Sequence, residues 1–251
     1  MQYKFVTEQR GYADLASGRV FHSLAGHPAF PVRLASEILQ RCQAIRAAGG
    51  GMAPCILYDP CCGAAYHLSV LAYLHREMFS EVIGSDVDER AVALARQNLS
   101  LLHLDGLDKR IAQLEQLFTQ YGKKSHQEAL VSAGIMRQRI AAFDTVNTRT
   151  FCASALDGDA LAAGLQGTQV DIVFTDIPYG QHSQWQGADS DPVQAMLTGL
   201  LRVLSPVSVV AVSSDKGQKV THGQYQRVEH FQIGKRRIVI LKPIGSVNNK
   251  F

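Results

Sequence analysis

One stretch of this chain leaves little freedom of architecture. Cys55-Ile56-Leu57-Tyr58-Asp59 is an apolar run of buried-strand length that ends in an acid. The turn Pro60-Cys61-Cys62-Gly63-Ala64-Ala65 follows, then an apolar helix from Tyr66 to Leu74. Val82-Ile83-Gly84-Ser85-Asp86 is a second strand closed by an acid, and a helix is expected from about Glu89 to Leu101. Strand, glycine-containing turn, helix, strand and acid form a nucleotide-binding βαβ unit, and an acid ending the second strand suits the two hydroxyls of a ribose. The chain has no G-x-x-x-x-G-K-[ST], so a phosphate-cradling P-loop is excluded. The full G-x-G-x-x-G of dinucleotide sites is also missing, which weighs against a dinucleotide oxidoreductase. With an acid at Asp59 and one glycine in the turn, S-adenosylmethionine fits better, since it carries no pyrophosphate to cradle.

The alternation resumes after Arg149. It predicts strands Thr150 to Ala153, Val170 to Phe174 and Val207 to Ser213, with helices near Asp159 to Leu165 and Pro192 to Leu204. A closing pair follows at Arg227 to Ile233 and Arg236 to Leu241. The expected fold is therefore α/β and Rossmann-like: a doubly wound, mostly parallel seven-stranded sheet with an antiparallel edge. Residues 1–50 read as an N-terminal extension with an irregular start. Gly26-His27-Pro28-Ala29-Phe30-Pro31 forms a rigid turn into an amphipathic helix from Val32 to about Ala48, stopped by Gly49-Gly50-Gly51. Residues 51–251 form the main domain, interrupted over 105–148 by a helix-rich insertion that breaks near Tyr121-Gly122-Lys123-Lys124. The insertion's charges nearly cancel, which favours a helical cap over the sheet edge above an independent RNA-binding module.

Hydrophobic residues make up 46% and charged residues 19%, as in a globular protein with a substantial core. No apolar run reaches the ~18 residues of a membrane span and no signal peptide stands at the start, so a cytoplasmic monomer is expected. The five cysteines form no Cys-x-x-Cys pair, and Cys61 and Cys62 read better as small buried turn residues than as thiol chemistry or metal ligands. The nine histidines show no ligand spacing, and no metal is expected. The net charge is only +3, but from Arg202 onward nine basic residues face Asp215 and Glu229 alone. Lys235, Arg236 and Arg237, beside Gly234, are the candidate phosphate-facing tip; a merely solvated hairpin tip is the alternative.

Thr175-Asp176-Ile177-Pro178-Tyr179-Gly180 carries the acceptor chemistry. Pro178 fixes its own φ and pushes Ile177 out of the helical region, so the carbonyls there point outward. Those carbonyls and the Asp176 carboxylate can accept an N–H of a base, and Tyr179 offers a face for stacking. Donor capture plus stacking is what N-methylation of a nucleobase requires. Trp185, the only tryptophan, stacks on a flanking nucleotide or anchors its loop.

Five segments in this order and spacing resemble the AviRa type of avilamycin-resistance 23S rRNA methyltransferase. They are His22-Ser23, Pro28-Ala29-Phe30-Pro31-Val32-Arg33-Leu34-Ala35, Asp59-Pro60-Cys61-Cys62-Gly63, Ser85-Asp86-Val87-Asp88 and Thr175-Asp176-Ile177-Pro178-Tyr179-Gly180. The resemblance runs over nearly the whole chain. It implies a class I methyltransferase fold, S-adenosylmethionine as donor and a guanine of 23S rRNA, free or in the large subunit, as acceptor. It also implies that Asp59, Cys62 and Gly63 line the methionine and ribose part of the donor, and that Asp86 accepts from the ribose hydroxyls. Phe30 would pack over the amino-acid end, with Arg33 on the helix surface or reaching the donor carboxylate. Asp176, Pro178 and Tyr179 would hold the base.

Two positions depart from the family pattern. Ala65 replaces a glycine, and if that site needs φ > 0 the strain is about 1 kcal/mol. Ser154 stands where an acid takes the adenine amino group, with Asp157 three residues on; a hydroxyl accepts that bond more weakly. The rivals are the same fold acting on DNA adenine or protein glutamine, and a non-catalytic RNA-binding module.

Overall fold

The computed structural model describes residues 3–23, 29–143, 145–178, 185 and 191–244. Its strands are β1 (Cys55–Asp59), β2 (Phe79–Asp86), β3 (Asn147–Cys152), β4 (Val170–Asp176), β5 (Leu204–Asp215), β6 (Tyr225–Ile233) and β7 (Arg236–Pro243). They form one sheet in the order β3-β2-β1-β4-β5-β7-β6. β3, β2, β1, β4 and β5 are parallel, and β7 joins β5 and β6 antiparallel. That is the doubly wound sheet with an antiparallel edge expected from the alternation.

The helices are α1 (Val32–Ala48), α2 (Tyr66–Leu74), α3 (Glu89–Ser100), α4 (Leu104–Tyr121), α5 (Lys124–Ala141), α6 (Gly158–Leu165) and α7 (Pro192–Leu200). Successive strand residues feed opposite faces, because the side-chain period of a strand is two. Leu57, Val82, Ile172 and Ala211 pack into the core beneath α1 to α5, whereas Tyr58, Ile83, Val173 and Val210 pack into the one beneath α6 and α7. Covered on both faces, β1 and β4 consist almost wholly of buried residues, which is why they read as continuous apolar runs.

Three local differences from the sequence reading have physical causes. α7 ends at Leu200, not Leu204, and β5 begins at Leu204 rather than Val207. Pairing slips between Val170↔Leu204 and Ile172↔Val209, which accommodates Pro206, a residue with no N–H to give the ladder. The N-terminal segment is irregular but anchored: the amides of Lys4, Phe5 and Val6 all donate to Glu37 on α1. Arg41 closes that arrangement by bonding both Glu37 and Glu229 of β6. Arg33 belongs here too; its guanidinium donates to the Val6 and Thr7 carbonyls and lies 4.0 Å over the Tyr3 ring, so it does not reach toward a donor carboxylate.

Strand order fixes where a ligand can sit. The chain runs outward from β1 through β2 to β3, then returns to β4 on the other side of β1. The carboxyl ends of β1 and β4 therefore open on a crevice, the usual ligand position of such sheets. No helix among the described residues is long and apolar enough to cross a membrane.

Candidate active site

The β1 end builds the first wall. After Asp59 the chain turns sharply: Cys62 N–H donates to the Ser85 carbonyl (2.9 Å), and Gly63 N–H donates to Asp86 Oδ2 (2.8 Å). Asp86 Oδ1 accepts the Asp88 amide at 3.0 Å. The turn is pressed so close to β2 that a Cβ on Gly84 would lie 2.9 Å from Cys62 Sγ, which explains a glycine inside a strand.

Gly63 and Ala65 are both left-handed, at φ +52 and +53. The strain foreseen at Ala65 is real, yet its side chain is fully buried. Removing a buried methyl costs about 0.8 kcal/mol, close to the ~1 kcal/mol of strain released. Ala65→Gly is therefore expected to leave the unfolding free energy within about 0.5 kcal/mol, whereas Ala72→Gly in the middle of α2 should lose about 1.5–2 kcal/mol. Denaturant titration of the two variants checks the contrast, and equal losses would contradict it.

Asp59 is fully buried, accepting the Cys61 amide at 3.0 Å and lying 3.2 Å from His67 Nε2. Burial pushes its carboxyl up to about 8, with the charges of Asp86 and Asp176 adding to the rise. Burial lowers His67, so the contact joins a protonated acid to a neutral imidazole. The folded protein thus holds a proton that the unfolded chain releases near pH 4, and the stability this gives declines as pH rises toward 8. His22, His67, His75 and His103 are depressed by burial and act oppositely, but only below about pH 6.5, where the unfolded histidines take protons. Between pH 7 and 8 the wild type should lose stability, and Asp59→Asn should flatten that decline; an unchanged slope in the variant would refute the assignment.

The β4 end builds the second wall. Ile177 N–H donates to the Ser213 carbonyl at 3.0 Å, holding the start of the Asp-Ile-Pro turn against β5. Asp176 is largely enclosed, and burial raises its carboxyl, although Ser213, Arg236 and His67 pull it back down. Its Oδ2 lies 3.6 Å from Arg236 Nη2, and its Oδ1 is buried without a hydrogen-bond partner. Phe30 arrives from the N-terminal extension; its ring is 5.4 Å from that of Phe174, 5.7 Å from the His67 ring and 4.9 Å from the Arg236 guanidinium.

Two hollows flank Cys61. The smaller, about 50 Å³, is lined by Asp86, Val87, Ser154, Leu156, Pro178 and Trp185. The larger, about 110 Å³, is lined by Phe30, Cys62, Gly63, His67 and Asp176, among others. The fold therefore gathers Cys62, Gly63, Asp86, Ser154, Phe30, Asp176 and Pro178 around these two hollows, whereas Asp59 is fully buried and lines neither. Asp157 is spent on capping α6, accepting the Asp159 and Ala160 amides, so it is no substitute for Ser154. Tyr179 lies outside the described residues, as do Gly26, His27 and Pro28.

The expected basic tip divides. Lys235 is exposed in the turn between β6 and β7, whereas Arg236 points inward onto Phe30 and Asp176. Trp185, read as a nucleotide stacker or a loop anchor, packs beside the core under α6 and α7 and lines the hollow of Asp86 and Ser154. His67 was not foreseen. Its only signal is an imidazole one turn-length from Gly63 in a mostly apolar helix.

Three acids from three neighbouring strand ends, a depressed histidine and a single guanidinium can hold a polar ligand beside a buried proton acceptor. The model of the rRNA methyltransferase AviRa family matches residues 1–236. A 23S rRNA (guanine(2535)-N(1))-methyltransferase from Streptomyces viridochromogenes is 39% identical over 242 residues, 96% of this chain and 95% of the relative. Two solved structures of rRNA methyltransferase AviRa from the same organism superpose at TM-scores of 0.85 and 0.88. They are 38% and 37% identical and cover 96% and 97% of both chains. Sheet order, crevice and whole-length similarity agree: this chain belongs to the AviRa family of rRNA methyltransferases, with the class I methyltransferase fold.

Proposed function

We propose that this enzyme methylates N1 of a guanine in 23S rRNA with S-adenosylmethionine as the donor. The observation that carries the reading is Asp176 Oδ1, a buried and unpartnered carboxylate oxygen beside the larger hollow. Guanine N1 bears a proton that must leave before the nitrogen can form a bond to carbon, and an enclosed carboxylate with raised proton affinity is the group to take it. The relative at 39% identity is named for that same atom.

The residues fit the donor. Asp86 has lone pairs left for two ribose hydroxyls after accepting two amides, since a carboxylate offers about four acceptor sites. Ser154 and Trp185 line the hollow on the nucleoside side, and Gly63, Cys62 and Phe30 line the side where a methionine chain fits. When bound, S-adenosylmethionine supplies an electrophilic methyl group and leaves as a neutral thioether. The chain's own work is alignment and proton removal: Asp176 accepts the N1 proton, and Pro178 sets the direction of the turn. The target base must be unpaired or flipped out to enter. Lys235 and Arg237 hold flanking phosphates, and resistance to an avilamycin-type antibiotic is the proposed consequence of the added methyl.

The test is incubation with 23S rRNA and labelled donor, followed by reverse transcription. A methyl at N1 blocks Watson–Crick pairing, so a new stop at a guanine is expected. Label uptake without any such stop would overturn the N1 reading.

A further inference from the structure

Arg236 was expected on the surface, and the fold turns it inward. β7 starts at this residue, paired to Ile233 of β6 on one side and Asp215 of β5 on the other, which sets its side chain beside the end of β4. Its guanidinium lies over Phe30, and its Nη2 stands 3.6 Å from Asp176 Oδ2, beyond ordinary hydrogen-bond length. Arg236 Nε is buried with no partner, as is Asp176 Oδ1. Even with the Ser213 hydroxyl beside Asp176, this residue pair keeps one guanidinium N–H to give and a carboxylate lone pair to accept with.

That pairing constrains what can bind. An anion such as an RNA phosphate or the donor's carboxylate would meet the Asp176 charge as soon as it approached Arg236. A neutral edge carrying one N–H and one carbonyl oxygen satisfies both groups at once. We infer that Arg236 and Asp176 together read the lactam edge of the target guanine, Asp176 accepting N1–H while Arg236 donates to O6. This rests on the function proposed above. When the N1 proton passes to Asp176, the negative charge left on the base spreads onto O6, where the guanidinium stabilises it. Adenine in the same pose presents an acceptor to the acid and a donor to the guanidinium, and is refused.

The test compares wild type with Arg236→Gln and Arg236→Lys on 23S rRNA. Arg236→Gln should lower kcat about 100-fold, as removal of an oxyanion donor does, and Arg236→Lys should lose less. Calorimetric affinity of Arg236→Gln for both S-adenosylmethionine and methylthioadenosine, which lacks the carboxylate, should stay within about threefold of wild type. The slope of log kcat/KM against log salt should not change. RNA with inosine at the methylated position keeps the lactam edge and should remain a substrate; adenine there should not. A salt slope shallower by about 0.7–0.9 would make Arg236 a phosphate contact and overturn the inference. Lost affinity for S-adenosylmethionine but not for methylthioadenosine would place it on the donor carboxylate and overturn the inference equally. If the wild type methylates a site other than guanine N1, this inference and the proposed function fall together. A wild-type stop at guanine N1 with an unimpaired Arg236→Gln sinks the inference alone.

Discussion

Asp176→Asn is expected to lower kcat about 10³-fold while S-adenosylmethionine still binds within about threefold of wild type. The amide keeps the size of the carboxylate and its place at the end of β4, so the turn to Pro178 is preserved. What it lacks is the capacity to take a proton. Asp176 shares the larger hollow with the donor turn but takes no part in the hydrogen bonds that shape it, which run between Cys62, Gly63, Ser85 and Asp86. Single-turnover kinetics at saturating donor, with calorimetry alongside, separates the two effects. Equal loss of binding and transfer would make Asp176 a donor-binding or folding residue.

Asp86→Ala should do the opposite, raising the dissociation constant for S-adenosylmethionine about 100-fold. Two hydrogen bonds to a charged acceptor, at roughly 1.5 kcal/mol each, give that factor. The loss has two sources. The ribose hydroxyls lose their acceptor, and the Gly63 amide loses the oxygen that fixes the turn at 2.8 Å. Because S-adenosylhomocysteine carries the same ribose and the same amino-acid chain, it should weaken by the same factor, and kcat at saturating donor should change little. An unchanged dissociation constant would remove Asp86 from the donor site.

The sequence made the donor half legible because the signal there is local. β1, its turn, α2 and β2 lie within 55–86, and α2 runs from Tyr66 to Leu74 as its apolar run indicates. The left-handed conformation of Ala65 was likewise foreseeable, since glycine is the natural occupant of such a turn. The acceptor half was only partly legible. Asp176 and Pro178 announce themselves in one tetrapeptide, but the direction of Arg236 depends on the register of β7 against both β5 and β6. A one-residue slip in a strand moves every side chain to the other face, and no nearby residue encodes that choice. Phe30 and His67 meet only because α1 and α2 pack on the same side of the sheet. The anchoring of the N-terminal segment on Glu37 was invisible for the same reason: its partners lie 31 to 33 positions away and involve backbone amides, which have no sequence signature.

The strand order has an evolutionary consequence. Of the groups proposed for the donor, Cys62, Gly63, Asp86 and Ser154 stand at the ends of β1, β2 and β3, while Asp176 and Arg236, proposed for the base, belong to β4 and β7. The seam between the two sets is short, with β1 and β4 in register only at Leu57↔Ile172 and Tyr58↔Val173. Descendants of such a chain can exchange one nucleobase for another by altering residues on one side of that seam, inheriting an intact methyl-donor half.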